Sequence, residues 1–398
     1  MLPLVGCIPQ IKEAAMTPAP TIRVLLGQIN NRDSIVFNST YELKAEEARY
    51  EFGRNNRRIY LEPTENGYQI FNENRIFKLN KYDQVTFRSQ SDEGFFSFRG
   101  RRYPGDVIIS PLSTPGISVI NRLNLEVYLL GVVPAEMPSQ NPAFLEALKA
   151  QAICARTYAL SQMRNRKNQI FDVYGDERDQ VYGGIDRQTP LASGAVRQTR
   201  GDVLMFKDSL ATIFFHSNSG GMLEAAHNVW AGIQRPYLRA GQDVLGNEFT
   251  SSKSPYFRWT DTLSIRQIDN LFREKFNKSY LNQEVKDTVD VVFQAHVLER
   301  TSSGRVARMQ ITYGDTSLTL QGYEIRRFFP FSRTRNLPST LFTISSLGDS
   351  LLLIQGGGFG HGVGMCQYGA MNMSEKGFRY YDILVNKYFK GTYLKKVY

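Results

Sequence analysis

The sequence predicts an α+β protein: a mainly β front end, then a mixed domain interrupted by a small α+β insertion. Three observations predict it. From residue 22 to 121, short β-branched and aromatic runs alternate with Asn, Gly, Asp and Pro. From residue 141 to about 165 the texture changes to an alanine-rich helical run. Beyond residue 240 an amphipathic stretch and a hairpin-like stretch separate two segments rich in Gly, Ser and His. The expected layout is a linker over 1–20, a β-rich accessory domain over 21–120, and a mixed domain over 121–398 with the insertion at about 241–350.

The front-end strands are IRVLL (22–26), IVFN (35–38), RIYL (58–61), GYQIF (67–71), VTF (85–87), GFFSFRG (94–100), DVIIS (106–110) and GISVIN (116–121). In the helical run, Asn141 stands where a cap is wanted and Pro142 at the first position, where a missing N–H is harmless. Leu145, Leu148, Ala152, Ala155 and Ala159 follow at three- and four-residue spacing, which marks a buried face. GDVLMF (201–206) reads as a strand, SIRQIDNLFREKF (264–276) as an amphipathic helix, and residues 291–314 as a hairpin turning at Ser303-Gly304.

Composition narrows the function classes. Hydrophobic residues make up 42% and charged residues 22%, as in ordinary globular chains. No apolar run approaches the roughly 18 residues of a membrane helix. The net charge of +10 is spread along the chain. Clusters such as Arg54, Arg57 and Arg58 are too short for a nucleic-acid tail, and charge alone does not choose among nucleic acid, membrane lipid and an anionic polymer such as cell wall; no nucleic-acid partner is expected. The three cysteines, Cys7, Cys154 and Cys366, give neither a disulfide framework nor a CxxC knuckle. Leu4-Val5-Gly6-Cys7 resembles a bacterial lipobox, but the residues before it are too few for a signal peptide. The expectation is a start downstream of the true one, export to the periplasm or cell envelope, and lipidation at Cys7. A chance LVGC is the competing reading.

Three stretches carry candidate chemistry. Glu136, in VVPAEMPSQ, lies among apolar neighbours that would raise its pKa toward the range of a general acid. A solvent-facing Glu at a helix start is the alternative. FFHSNSGGMLEAAH (214–227) brings His216, Ser217, Ser219, Gly220 and His227 together in sequence. GGGFGHGVGMCQYGA (356–370) holds seven glycines with His361, Cys366, Gln367 and Tyr368. The last stretch lacks the GxxxxGK[ST] of a phosphate loop. A zinc site would draw on His216, His227, His361 and Cys366, but no pair among them has familiar ligand spacing.

Taken in order, VYLLGVVPAEMP, EALKAQAICARTYAL, FFHSNSGG and GGGFGHGVGMCQYGA resemble the family of stage II sporulation protein D and the amidase enhancer LytB. QVYGG (180–184), AVRQTRGDVLMF, SPYFRW, LQGYEIRRFF and LPSTLFTI extend the resemblance from about Asn121 to the C-terminus. It implies a lytic transglycosylase of the bacterial envelope, with a glycan-binding groove, that cuts the β-1,4 bond between N-acetylmuramic acid and N-acetylglucosamine in peptide-stripped strands. The family's single catalytic glutamate falls on Glu136. Lys149, Arg156 and Tyr158 would then hold acetamido or lactyl groups, and His216, Ser217, Ser219, Gly220, His361, Gln367 and Tyr368 would line a glycan groove. Where many relatives carry Ser before the Gln, this chain has Cys366. No cofactor is expected, although zinc occurs in some members, held by Cys near the His-Ser stretch, and this chain has none there. The LytB name implies a different role, a wall-binding enhancer of a cell-wall amidase.

Overall fold

The computed structural model describes residues 17–45, 48–53, 57–111, 116–276, 293–348 and 351–398. Cys7 lies outside them. The front end forms twelve strands: β1 (Thr21–Ile29), β2 (Asp33–Phe37), β3 (Tyr41–Ala45), β4 (Ala48–Phe52), β5 (Arg58–Thr64), β6 (Gly67–Phe71), β7 (Ile76–Asn80), β8 (Val85–Ser89), β9 (Phe95–Phe98), β10 (Arg101–Pro104), β11 (Asp106–Pro111) and β12 (Ile117–Asn124). Six of them make one sheet in the order β10-β9-β2-β5-β6-β7. The other sheet runs β1-β12-β11-β8-β3-β4, with Val173–Tyr174 added in parallel beside β1.

Side-chain alternation explains which faces meet. In β2, β5, β6 and β9 every second residue is buried, and Ile35, Phe37, Ile59, Leu61, Ile70 and Phe96 meet Val24, Val107, Ile109 and Val119 in one core. β11 breaks the alternation, with four consecutive buried residues. Its second face is covered as well: Ile108, Leu25 and Ile120 pack with Phe171. A strand covered on both sides has no polar face to show.

β12 runs straight into helix α1 (Leu125–Glu136), whose N-cap Asn124 accepts from the Glu126 N–H at 2.9 Å. The expected boundary at 120/121 therefore falls inside a strand, and the front end shares one hydrophobic core with the helices behind it. Asn141 caps a short 3₁₀ turn at Pro142–Phe144, from which α2 (Leu145–Asn165) continues. α2 is buried almost all round from Ala147 to Thr157, not along a single stripe. Small alanines let α1, α3 (Pro190–Gln198) and the strand Asp202–Phe206 close around it.

The insertion has its own core, from Trp259 to Ile354, built around α5 (Ile265–Phe276) and α6 (Tyr323–Phe328). They follow the short helix α4 (Ala226–Val229). The hairpin pairs Phe293–Arg300 with Val306–Tyr313. Beyond it, strand Leu351–Gly356 feeds the glycine-rich loop, and α7 (Gln367–Glu375) follows. Among the described residues no helix is long and apolar enough to cross a membrane.

Candidate functional site

A cleft of about 470 Å³ opens where three segments distant in sequence converge. Glu136, Tyr158, Glu177, Arg178, Asp179 and Val181 line one part of it, Ile213 to Ser217 and Trp230 a second, and Phe359 to His361 with Gln367 a third. The insertion adds Arg326.

Glu136 is the last residue of α1, not the first of a helix. Its pKa is raised to about 7, chiefly because packed protein replaces water around the carboxyl; the Val181 N–H and the Gln367 side chain pull it part of the way back, and the Glu177 charge adds to the rise. A carboxylate at a helix C-terminus also meets the negative end of the dipole. The Val181 N–H reaches it because α1 and residues 180–184 lie in close contact. Gly183 N–H donates to Gly131 O at 3.1 Å, and a Cβ on Gly131 would stand 2.7 Å from Gly184 O. Tyr158, also in the cleft, donates to Asp179, which Arg166 holds in turn.

Two histidines form the opposite wall, their rings 5.5 Å apart. His216 is buried, and its Nδ1 donates to Val363 O at 3.1 Å, so a neutral ring leaves Nε2 as a bare acceptor with no protein partner among the described residues. His361 Nδ1 accepts from the Val363 N–H at 3.0 Å, and its ring packs edge-on against Trp230. Burial, then the charges of Arg326 and Arg305, push His361 down to about 3, and burial pushes His216 well below its ordinary value. Both rings are neutral at physiological pH.

Several expected substrate contacts have other partners. Arg156 is fully buried; it forks onto Glu126 through two bonds of 2.8 Å, and Tyr398 OH and Gly201 N–H complete that carboxylate's shell. Its guanidinium ties α2 to α1 and does not reach the cleft. Lys149 pairs with Glu146 at 2.6 Å, one turn away on its own helix, and does not line the cleft. Ser219 is buried and donates to Asp243 at 2.8 Å. Tyr368 donates its N–H to Ser217 O while its ring packs on the core. Ser217, His216, His361, Gln367 and Tyr158 do line the cleft.

The glycine loop packs against the protein's own backbone. It runs beside residues 214–220, with Phe215 paired to Met365 and Asn218 exchanging both backbone bonds with Phe359. Gly364 has φ +73, and a Cβ there would sit 2.1 Å from Phe214 O. Gly220 meets Gly357 and Gly358 in the same way, at 2.7 and 2.8 Å. Of the loop's glycines only Gly360 lines the cleft.

Cys366 is the N-cap of α7: its Sγ accepts from Gly369 N–H at 3.4 Å and from Ser219 N–H at 3.3 Å. Burial pushes the thiol up to about 12, so it is no nucleophile. A serine hydroxyl performs the same capping, which gives a physical account of the Cys-for-Ser difference. The four-ligand set His216, His227, His361 and Cys366 is not assembled. His227 is exposed on α4, and no group of three or more potential metal ligands occurs among the described residues.

Sequence reasoning gave no role to Val181, Asp179, Trp230, Phe359 or Arg326. QVYGG and LQGYEIRRFF belonged to the resemblance, yet nothing in their composition marks an N–H for a glutamate or a cation for a cleft.

The family described as Stage II sporulation protein matches residues 113–206, and a domain of unknown function (DUF8618) matches 240–364. The chain is 31% identical over 334 residues to an uncharacterized protein of Brachyspira hyodysenteriae, covering 80% of each. It is 32% identical over 302 residues to the amidase enhancer of Bacillus subtilis, covering 67% of this chain but only 40% of that one. It is also 32% identical over 302 residues to the stage II sporulation protein D of Bacillus amyloliquefaciens, covering 71% of this chain and 78% of that one. This chain belongs to the stage II sporulation protein D family.

Proposed function

We propose that the protein is a lytic transglycosylase that cleaves the β-1,4 bond between N-acetylmuramic acid and N-acetylglucosamine in peptidoglycan strands of the cell envelope. One observation carries the reading: Glu136 sits in a cleft with its pKa raised to about 7 and an N–H donor on its carboxyl. An ordinary glycosidase divides its work between two carboxylates. A transglycosylase uses the C6 hydroxyl of the muramyl residue as nucleophile, so one carboxyl serves twice. Protonated Glu136 gives its proton to the glycosidic oxygen as the C1–O bond breaks. The resulting carboxylate, held by Val181 N–H, takes the proton of the C6 hydroxyl as O6 bonds to C1. The sugar leaves as the 1,6-anhydro form, no water is consumed, and Glu136 is protonated again.

Intramolecular attack gains the advantage of a nucleophile already in place. The rest of the cleft suits a sugar. Trp230, stacked on Phe214 at 4.0 Å, and Phe359, stacked on Tyr256 at 4.7 Å, give it aromatic walls. Neutral His216, with its unused acceptor, suits a hydroxyl. None of these steps uses a metal or cofactor.

The test is incubation with peptide-free glycan strands and mass spectrometry of the products. Anhydro-muramyl ends that vanish in Glu136→Gln support the reading, and reducing ends in their place would make the enzyme a hydrolase, with Glu177 on the cleft rim as the second carboxylate to examine. The similarity to an amidase enhancer favours a second reading, a wall-bound partner of an amidase. Stimulation of an amidase by wild type and Glu136→Gln alike, with no glycan cleavage, would establish it.

A further inference from the structure

We infer that Arg326, brought into the cleft by the insertion, is a specificity-determining residue that recognises the lactyl carboxylate of the sugar being cleaved and so sets the preference for strands without peptide. This inference rests on the proposed glycan reading. Three cations stand near the cleft or were expected to serve it, and the structure engages each of them elsewhere. Arg156 is buried against Glu126, and Lys149 is paired with Glu146. Arg178 lines the cleft but is held by both oxygens of Asp176 and lies over the Tyr174 ring.

Arg326 differs from all three in having no carboxylate partner among the described residues, its guanidinium standing 5.4 Å from the Tyr323 ring. It is half-buried on α6, between Ile325 and Phe328, both of which are buried in the insertion's core. Its Nε donates to Leu337 O at 2.9 Å, and its own carbonyl accepts from Leu337 N–H at 3.1 Å. The side chain is thereby fixed at its base and along one edge. Neither Nη group has a hydrogen-bond or ion-pair partner among the described residues, and the residue lines the same cleft as Glu136. Its charge also bears on the opposite wall, where it helps keep His361 neutral.

Two parallel Nη donors on an anchored guanidinium fit a carboxylate end-on, with both oxygens engaged. The cleft's own carboxylates come from Glu136 and the segment 177–179, so the insertion supplies the only cation there, among the described residues, that no carboxylate neutralises. An acidic substituent is therefore directed toward the insertion and away from the catalytic glutamate. On the strand proposed as substrate, that substituent is the lactyl ether on C3 of the residue whose C1–O bond breaks. An amide-linked peptide removes the charge and one acceptor oxygen.

The experiment compares peptide-free glycan strands with the same strands after the lactyl carboxylates are converted to methylamides. Wild type, Arg326→Gln and Arg326→Lys are assayed on both for kcat/KM, with a thermal melt for each variant. A charge-assisted pair of this kind is expected to favour the acid form by about ten- to a hundredfold in wild type. Arg326→Gln should bring the ratio of kcat/KM on the acid strand to that on the amide strand down to about one. Arg326→Lys should keep part of the preference, and it stands in for Gln if that variant fails to fold. Preference for the acid form unchanged in these variants, or absent in wild type, overturns the inference while the transglycosylase reading stands. If wild type cleaves neither strand, that reading falls, and calorimetric binding of both strands to wild type and Arg326→Gln decides the recognition question alone: equal affinity for the two strands overturns it.

Discussion

The Val181 N–H donates to Glu136 Oε1 at 2.8 Å, joining the end of a buried helix to a loop 45 residues further along the chain. That bond opposes the effect of burial. Burial raises the carboxyl's pKa, Val181 and Gln367 draw it back, and it settles at about 7, where a group can both give and take a proton.

Cleavage should therefore fall as pH rises through about 7, because the first step needs the protonated form. Glu136→Gln should lower kcat by about 100-fold or more, measured as anhydro-muramyl product per minute, with KM little changed. Full activity in that variant would move the proton elsewhere.

The same group leaves a mark on stability. Its folded pKa lies above the ordinary value of 4.5, so the native state holds the extra proton between pH 4.5 and about 7 and loses stability as pH rises through that window. Glu136→Gln should melt higher than wild type at pH 8, by an amount on the order of 2 kcal/mol, and equally at pH 4. Thermal melts at the two pH values check the sign.

Arg156→Gln should behave as a folding mutant. It leaves the Glu126 carboxylate buried with Tyr398 and Gly201 but without a countercharge, at a cost of about 3–5 kcal/mol. Chemical denaturation measures that cost. A fully stable variant with weakened glycan binding would return Arg156 to the substrate.

Cys366→Ser should keep both fold and activity, since a hydroxyl caps α7 as the thiol does. Cys366→Ala should lose about 1 kcal/mol. Thiol reagents should leave Cys366 of the native protein unmodified, which peptide mass spectrometry after alkylation reads directly.

Gly364→Ala forces a Cβ to within 2.1 Å of Phe214 O at a positive φ. The pairing of Phe215 with Met365 should open, and with it the His216 wall of the cleft. Lowered thermal stability and lost glycan binding together are the expected outcome.

The sequence was most legible where local chemistry decides structure. Eight front-end strands stand near their expected places, because each carries its own alternating or apolar run. β3, β4, β7 and β10 were not anticipated; runs such as ARYEF and IFKLN mix charges into the strand, and sheet neighbours, not composition, hold them there. Glu136 was legible through its apolar neighbours and the family resemblance. Arg156 was misleading because nothing local announces Glu126, 30 residues earlier, as its partner. The loop's glycines admit neighbouring backbone, while Phe359 and His361 between them line the cleft.

The joint between the insertion and the rest of the molecule has a consequence for how the two can vary. Buried Glu224, outside the insertion's core, accepts hydroxyl bonds from Thr301 and Ser303 at the hairpin turn, and Arg305 reaches back to Ser219 O and Met222 O. Excising the insertion would take two hydroxyl donors from buried Glu224 and leave the Ser219 and Met222 carbonyls without Arg305. The seam, more than the insert's own core, makes the two regions inseparable. The cleft is divided along the same seam, with Glu136 within one recognised stretch of sequence and Arg326 and His361 within the other, so neither stretch holds a complete cleft when taken alone.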